Sequence, residues 1–353
     1  MHIYEYLFAA ILIVSILLGS SIMIGTLSDP HRDISEKEQL KETAQKIMTQ
    51  ILLDPGEPVN WGSNISVREN DLKAFGLAMY GETTREAYVL DPNKVLRLNK
   101  TEPSLAVTPI SVLNLLNLGY DYGIALEFLD PLIVGISETS NSDKYEVSVS
   151  SEYGGLPVAG ANVTARIFHA PDLSNDIIGT NTTHNFTRTN GNCTIDFGNI
   201  ESERKIAIIA VDYYGVRTVK TYVREQSLQN SKVKFVNILG NYLFSATMPK
   251  EIASEIVVTK NVVSGEYLIR NTTFSVDTAT SPYELNYLDP YTLAVLIVSH
   301  DDQSLLVATK DITSTYSSIS GSWSFPFAYA IERTVVAGGS TYIARLHLWR
   351  MSW

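Results

Sequence analysis

Cysteine is nearly absent from this sequence. The single copy, Cys193, excludes an intrachain disulfide, so the domains must be stable without covalent cross-links. Because Cys193 lies in a strand-like run, we expect a small buried residue rather than a reactive thiol. Charge is also scarce: 18% of the residues are charged, and the formal net charge is −11. This balance offers no basic surface for phosphates and argues against nucleic acid as a partner.

Motifs for metal binding and catalysis are missing as well. Six histidines are present, but no two have the spacing of metal ligands and no H-E-x-x-H occurs. The nucleophile elbow G-x-S-x-G and a strand followed by G-x-G-x-x-G are not found either. Two oxygen-rich clusters, at 172–176 and 300–302, are better explained as solvated turns than as cation sites. We therefore expect no metal, no cofactor and no enzymatic activity.

An uncharged segment opens the chain. No charged residue occurs from Tyr6 to Leu27, and a helix of this length, at ~1.5 Å per residue, crosses the ~30 Å apolar core of a bilayer. The segment lacks the basic start and the cleavage site of a secretory signal, so we expect it to stay attached. Glu5 stands at its beginning, where a carboxylate in lipid is costly without a partner. Either Glu5 lies at headgroup level, or the α-amino group at Met1 of a neighbouring chain neutralises it.

An amphipathic helix is predicted next. Asp29-Pro30 is expected to break or kink the first helix, and Ser35 with Glu38 has the spacing of a capping box that restarts it. Apolar residues then recur at helical spacing up to Leu52. This stripe packs either on the chain's own globular part or on the same helix of a neighbouring copy.

Four regions follow from these patterns. Residues 1–53 form the hydrophobic helix with its amphipathic extension, and residues 54–130 a small α/β collar with a strand over Tyr122 to Leu129. Residues 131–226 and 227–353 alternate polar and apolar side chains between regularly spaced turns, which is typical of β-sandwiches. The last segment, from Thr341, is expected to complete a sheet. The predicted fold class is α+β: a long N-terminal hydrophobic helix, a small α/β collar and two β-sandwich domains.

Seven Asn-X-Ser/Thr sequons lie downstream of the uncharged segment. Chance would give roughly half as many at this content of Asn, Ser and Thr. They favour an extracytoplasmic location for most of the chain, although the flanking charges lean slightly the other way. The possible glycosylation sites are Asn64, Asn99, Asn162, Asn181, Asn185, Asn192 and Asn271.

Two resemblances to known families are carried by particular residues. The stretches GLPVAGANVTA at 155–165 and TNGNCTIDF at 189–197 resemble the immunoglobulin-like repeats of prokaryotic surface proteins, which implies an immunoglobulin-like sandwich over 131–224. The uncharged segment with Glu5 and small residues such as Ala9 and Gly19, its amphipathic extension and the β-rich remainder resemble type IV pilins and archaeal pilin-like surface proteins. That resemblance implies a filament whose core is a bundle of N-terminal helices, in which Glu5 pairs with the Met1 amine of an adjacent subunit.

Three functional hypotheses follow. The first is a homo-oligomeric, pilus-like filament on the cell surface, whose subunits are inserted in the membrane before assembly. The alternative is a monomeric, membrane-anchored surface adhesin or receptor, in which the β-domains bind a glycan or a protein. The third is an anchored hydrolase with an unrecognised site, which carboxylates converging in a deep cleft would support.

Overall fold

The described chain is mostly β-sheet. The computed structural model describes residues 13–17, 30–81, 88–99, 102–139, 143–170, 178–200, 202–230, 232–244, 251–259, 267–270, 274–275, 282–285, 288–299, 304–318 and 328–351. Of these residues, 48% lie in strands and 18% in helices. The predicted α+β class is therefore wrong. That prediction gave equal weight to the helical N-terminal region and to the longer region of strand-like alternation.

The elements are as follows. The helices are α1 (Pro30–Leu53), α2 (Pro92–Leu96), α3 (Pro109–Leu115) and α4 (Glu225–Gln229). The strands are β1 (Val89–Leu90), β2 (Tyr122–Leu129), β3 (Leu132–Glu138), β4 (Lys144–Ser151), β5 (Asn162–Ala170), β6 (Gly179–Phe186), β7 (Asn192–Asp196), β8 (Arg204–Tyr213), β9 (Val216–Tyr222), β10 (Val233–Leu239), β11 (Tyr242–Phe244), β12 (Glu251–Thr259), β13 (Tyr267–Arg270), β14 (Phe274–Ser275), β15 (Tyr283–Glu284), β16 (Thr292–Ser299), β17 (Leu305–Thr309), β18 (Ser314–Ser317), β19 (Tyr329–Ala337) and β20 (Ser340–Arg350).

The long hydrophobic N-terminal helix is a second incorrect prediction. Of the segment from Tyr6 to Leu27, the structure describes residues 13–17, which have helical backbone. Among the described residues, no helix is both long and apolar enough to cross a membrane. An uncharged run indicates that its side chains avoid water. It does not by itself fix the length of a helix, because β-branched residues such as Ile13, Val14 and Ile16 are weaker helix formers than Leu or Ala.

Helix α1 packs on the chain's own globular part. It begins at Pro30, where a proline fits the first turn, and it continues through Ser35, so the predicted restart at Ser35 is wrong. From Leu40 onward its apolar stripe is buried, and Ala44 and Ile51 are fully buried in the core. Of the two alternatives for this stripe, the structure shows the intramolecular one.

A five-stranded sheet lies against α1. Its strand order is β1-β19-β20-β2-β18, and we refer to it, together with α1, α2 and α3, as the head. Strand β20 lies at the centre and pairs antiparallel with both β19 and β2. The prediction that the segment from Thr341 completes a sheet is confirmed. The predicted regions 54–130 and 227–353 meet in this sheet and share one hydrophobic core.

Three further sheets of the described chain are stacked. The outer sheet has the order β3-β4-β7, the middle sheet β6-β5-β8-β9, and the long sheet β13-β12-β16-β17-β10-β11-β15, with β14 paired to β12. One hydrophobic core joins the outer and middle sheets, and a second joins the middle and long sheets. Because β8 lies between these two cores, nearly all of its side chains are buried. Packed sheets of the sandwich type thus follow residue 130, as the alternation predicts.

Candidate functional site

The predicted assembly residues Met1 and Glu5 lie outside the described residues. Nearby, the side chains of Ile13, Val14 and Ile16 are 57%, 53% and 60% exposed. Of the hydrophobic cores formed by the described residues, none contains a residue before Leu40. Residues 13–17, the described part of this segment, therefore present aliphatic surface outside these cores.

Four of the predicted sequons lie on the outer and middle sheets. Asn181 and Asn185 are exposed on β6, yet each side-chain amide donates across the edge of the sandwich to a backbone carbonyl near β7, at 3.5 and 2.8 Å. Asn192 donates to the Glu146 carboxylate at 3.2 Å, and Asn162 begins β5. An N-linked glycan attaches through the same amide nitrogen, so modification would remove these contacts.

The remaining candidate residues are distributed as follows. Asn64 and Asn99 lie on loops of the head, whereas Asn271 and both oxygen-rich clusters, at 172–176 and 300–302, are outside the described residues. Cys193 is buried, which confirms its prediction as a small core residue, and burial raises the pKa of its thiol to about 11. Within the described part of the chain, no group of three or more His, Cys, Asp or Glu residues is placed to hold a metal ion.

A cleft opens where the head meets the long sheet. Its volume is about 430 Å³, within the range of roughly 300–1,000 Å³ that is usual for small-molecule sites. The two sides are joined by the N–H of Gly240, which donates to Asn93 Oδ1 at 3.0 Å. Gly240 has a φ of +58°, and a Cβ there would lie 2.5 Å from the Ser63 carbonyl oxygen. Only glycine permits this close approach, which fixes one wall of the cleft.

Lys310 lies in this cleft and differs from the other buried lysines. Lys94 donates to two backbone carbonyl oxygens, each at 2.8 Å, and Lys205 is paired with the Asp143 carboxylate. The residue Lys310 is only 6% exposed, and no described residue accepts a hydrogen bond from its ammonium group. Its ammonium group lines the cleft, so it must find its hydrogen bonds in water or in a ligand, because water satisfies all three of its N–H groups in the unfolded chain.

The groups around Lys310 offer both donors and acceptors. Burial lowers the pKa of Lys310 to about 8, although the nearby carboxylates of Asp91 and Asp289 oppose this effect. Asp91 accepts two hydrogen bonds from Asn93, both at Oδ1, at 2.9 and 3.1 Å. Asn241 accepts at its Oδ1 from the backbone of the 288 loop at 3.2 Å. Asp91 Oδ2 and Asn241 Nδ2 therefore remain available to a ligand.

Two carboxylate pairs elsewhere in the described chain each bind one cation. Arg345 lies 3.1 Å from Glu127 and 2.6 Å from Glu332. Lys220 on β9 lies 2.5 Å from the carboxylate of Asp130, which follows β2, and 3.2 Å from that of Asp311, which follows β17. The Arg345 contacts lie within the sheet of the head, whereas the Lys220 contacts connect the middle sheet to the head and to the end of β17 in the long sheet. In both pairs the bridging cation offsets the repulsion between the carboxylates.

The comparisons with known proteins do not extend this description. The chain matches no protein-family model, and no curated protein is significantly similar to it. The resemblances to pilins and to immunoglobulin-like repeats therefore remain predictions from the sequence.

Proposed function

We propose that this protein is a structural subunit of an extracellular, pilus-like filament on the cell surface. It assembles as a homo-oligomer through its apolar N-terminal segment and displays its sheets, including an immunoglobulin-like sandwich, outside. The observation that carries this proposal is the exposed aliphatic surface at Ile13, Val14 and Ile16. Exposed apolar side chains in an uncharged run require burial in lipid or in other copies of the chain.

Glu5 distinguishes these two environments. A carboxylate at the edge of a lipid-embedded segment can reach the headgroup region, whereas inside a bundle of packed segments it needs a cationic partner. The α-amino group at Met1 of an adjacent subunit supplies that partner in the filament. Pairing at this position contributes to the register between subunits as well as to affinity.

The alternative function is a monomeric, membrane-anchored surface adhesin or receptor. The cleft containing Lys310 favours it, because a polar cleft with unused donors and acceptors suits ligand binding. In this case the apolar segment stays in the membrane, and Glu5 has no role in assembly.

Replacing Glu5 with glutamine is expected to abolish assembly and leave the protein in the membrane fraction. The substitution keeps the size of the side chain but removes the charge that pairs with the amine. Sedimentation and imaging of sheared surface material measure the assembled fraction. Glu42→Gln, on the exposed side of α1, is the matched control and should assemble normally. Normal assembly of Glu5→Gln would contradict the filament and favour the anchored monomer.

A further inference from the structure

We infer that the cleft between the head and the long sheet is a binding site for a neutral saccharide. The inference does not depend on filament formation, because the cleft lies entirely within one chain. Its central residue is Lys310, the buried lysine whose ammonium has no acceptor among the described residues.

Hydrogen-bonding capacity is the first argument. The cleft offers donors at Lys310 Nζ and Asn241 Nδ2 and an acceptor at Asp91 Oδ2. The hydroxyl groups of a sugar each donate one hydrogen bond and accept others, so neighbouring hydroxyls satisfy both kinds of group at once. A ligand with acceptors alone would leave Asp91 Oδ2 without a donor.

The charges around the cleft favour a ligand without net charge. An anion would be attracted to Lys310 but repelled by the carboxylates of Asp91 and Asp289, both of which act on this lysine. A cation would approach the buried ammonium directly. Because charges of both signs lie close together, a neutral polar ligand incurs neither repulsion.

Aromatic and apolar residues complete the site. Tyr80 and Tyr242 lie along the cleft, and the side chain of Tyr80 is 70% exposed. Leu288 and Pro290 contribute further apolar surface on the side of the long sheet. Tyrosine combines a flat apolar face with a polar tip. This combination suits a sugar ring, because the C–H groups and the hydroxyl groups of the sugar lie on different faces of the ring.

The saccharide has two possible sources. It belongs either to another molecule or to a glycan attached to Asn64, a predicted glycosylation site that also lines the cleft. The chemistry recognised by the cleft is the same in both cases, and the source is therefore resolved by experiment.

The test measures binding of neutral trisaccharides to the full chain. Protein from a host without N-glycosylation, in a detergent without a sugar headgroup, is titrated with maltotriose, mannotriose and chitotriose by saturation-transfer NMR. At least one is expected to bind. Lys310→Met is expected to weaken binding at least about ten-fold and Asn241→Ala about three- to ten-fold, because each removes a hydrogen-bond donor. Lys144→Met, on the outer sheet, is the matched control and should bind as the wild type does.

Three results would overturn the inference. They are the absence of binding by all three sugars, unchanged binding in both cleft variants, and displacement of the sugar by inorganic phosphate that binds more tightly. The source follows from protein made in a glycosylating host. If binding is blocked in the wild type and restored in Asn64→Gln, the occupant is the chain's own glycan. Equal binding in both forms assigns the saccharide to another molecule.

Discussion

Replacing Leu346 with alanine is expected to lower the free energy of unfolding of the head by about 3 kcal/mol, within the range for buried leucines. Leu346 lies on the central strand β20, fully buried, directly opposite Ile331 on β19 and Leu126 on β2. The cavity left by truncation would adjoin α1, which packs on β19 and β20. Amide hydrogen exchange should therefore accelerate in residues 40–52 of α1, although they lie far away in sequence.

The control for this prediction is Arg333→Ala. Arg333 lies on the neighbouring strand β19 but is exposed, so its truncation should change the free energy of unfolding by less than about 0.5 kcal/mol. Unchanged exchange of α1 in Leu346→Ala would contradict a single core shared by the two ends of the chain.

Two buried lysines are expected to respond in opposite ways to replacement by methionine. Lys94→Met should destabilise the protein by about 1–3 kcal/mol, because the buried carbonyl of Ala78 loses its donor, while that of Pro55 keeps only the indole N–H of Trp61. Lys310→Met should leave the free energy of unfolding unchanged or raise it by about 1 kcal/mol, because it removes a buried charge that has no acceptor. Urea unfolding at pH 7 measures both effects. Equal destabilisation by the two substitutions would show that Lys310 is also satisfied internally.

Stability should also depend on pH in a defined way. Burial lowers the pKa of both Lys94 and Lys310 from the usual 10.5 to about 8. Between these values the unfolded chain binds more protons than the folded one, so stability rises with pH from about 8 to 10.5, by up to about 1.4 kcal/mol per pH unit for each lysine. Above about pH 10 Tyr222 acts in the opposite direction, since burial raises its pKa to about 12 and the unfolded chain then loses this proton first.

Lys310→Met separates the contributions of the two lysines to this profile. The variant should retain the part of the rise that arises from Lys94 and lose the rest. Urea unfolding from pH 7 to 10 measures the slope. A profile that is flat in the wild type, or identical in the variant, would contradict the burial of a charged Lys310.

Local signals predicted individual elements well. Strand β2 was predicted with the bounds observed. Helices α2 and α3 carry local signals of the same kind, because Asp91 and Thr108 cap them and a proline follows each cap. These features depend on a few neighbouring residues. The partners of β20 could not be predicted, because pairing with β2 depends on side chains about two hundred positions away. The central position of β20 therefore emerged only from the structure.

The stacking of three sheets was missed for a related reason. Polar and apolar alternation indicates one buried face, but β8 is buried on both faces and reads as a continuous apolar run. A sequence such as KIAIIAV does not show whether a second sheet covers the other face. Two separate sandwiches were therefore predicted where the middle sheet is shared.

The cleft could not be predicted from the sequence. Lys310 stands in the polar tripeptide Thr309-Lys310-Asp311, which suggests a solvated loop, and its burial depends on the packing of the head against the long sheet. Asn64 was singled out only as a sequon. Sites built from distant loops leave little local signal, whereas the uncharged N-terminal segment is evident at once because its pattern is continuous.

The central claim is assembly through the N-terminal segment, and electron microscopy of material sheared from the native cell surface tests it most directly. Negative-stain images should show fibres of uniform width that contain this chain, and cells producing Glu5→Gln should yield none. Dispersed single particles from the wild type, with the protein fully retained in the membrane fraction, would contradict the filament.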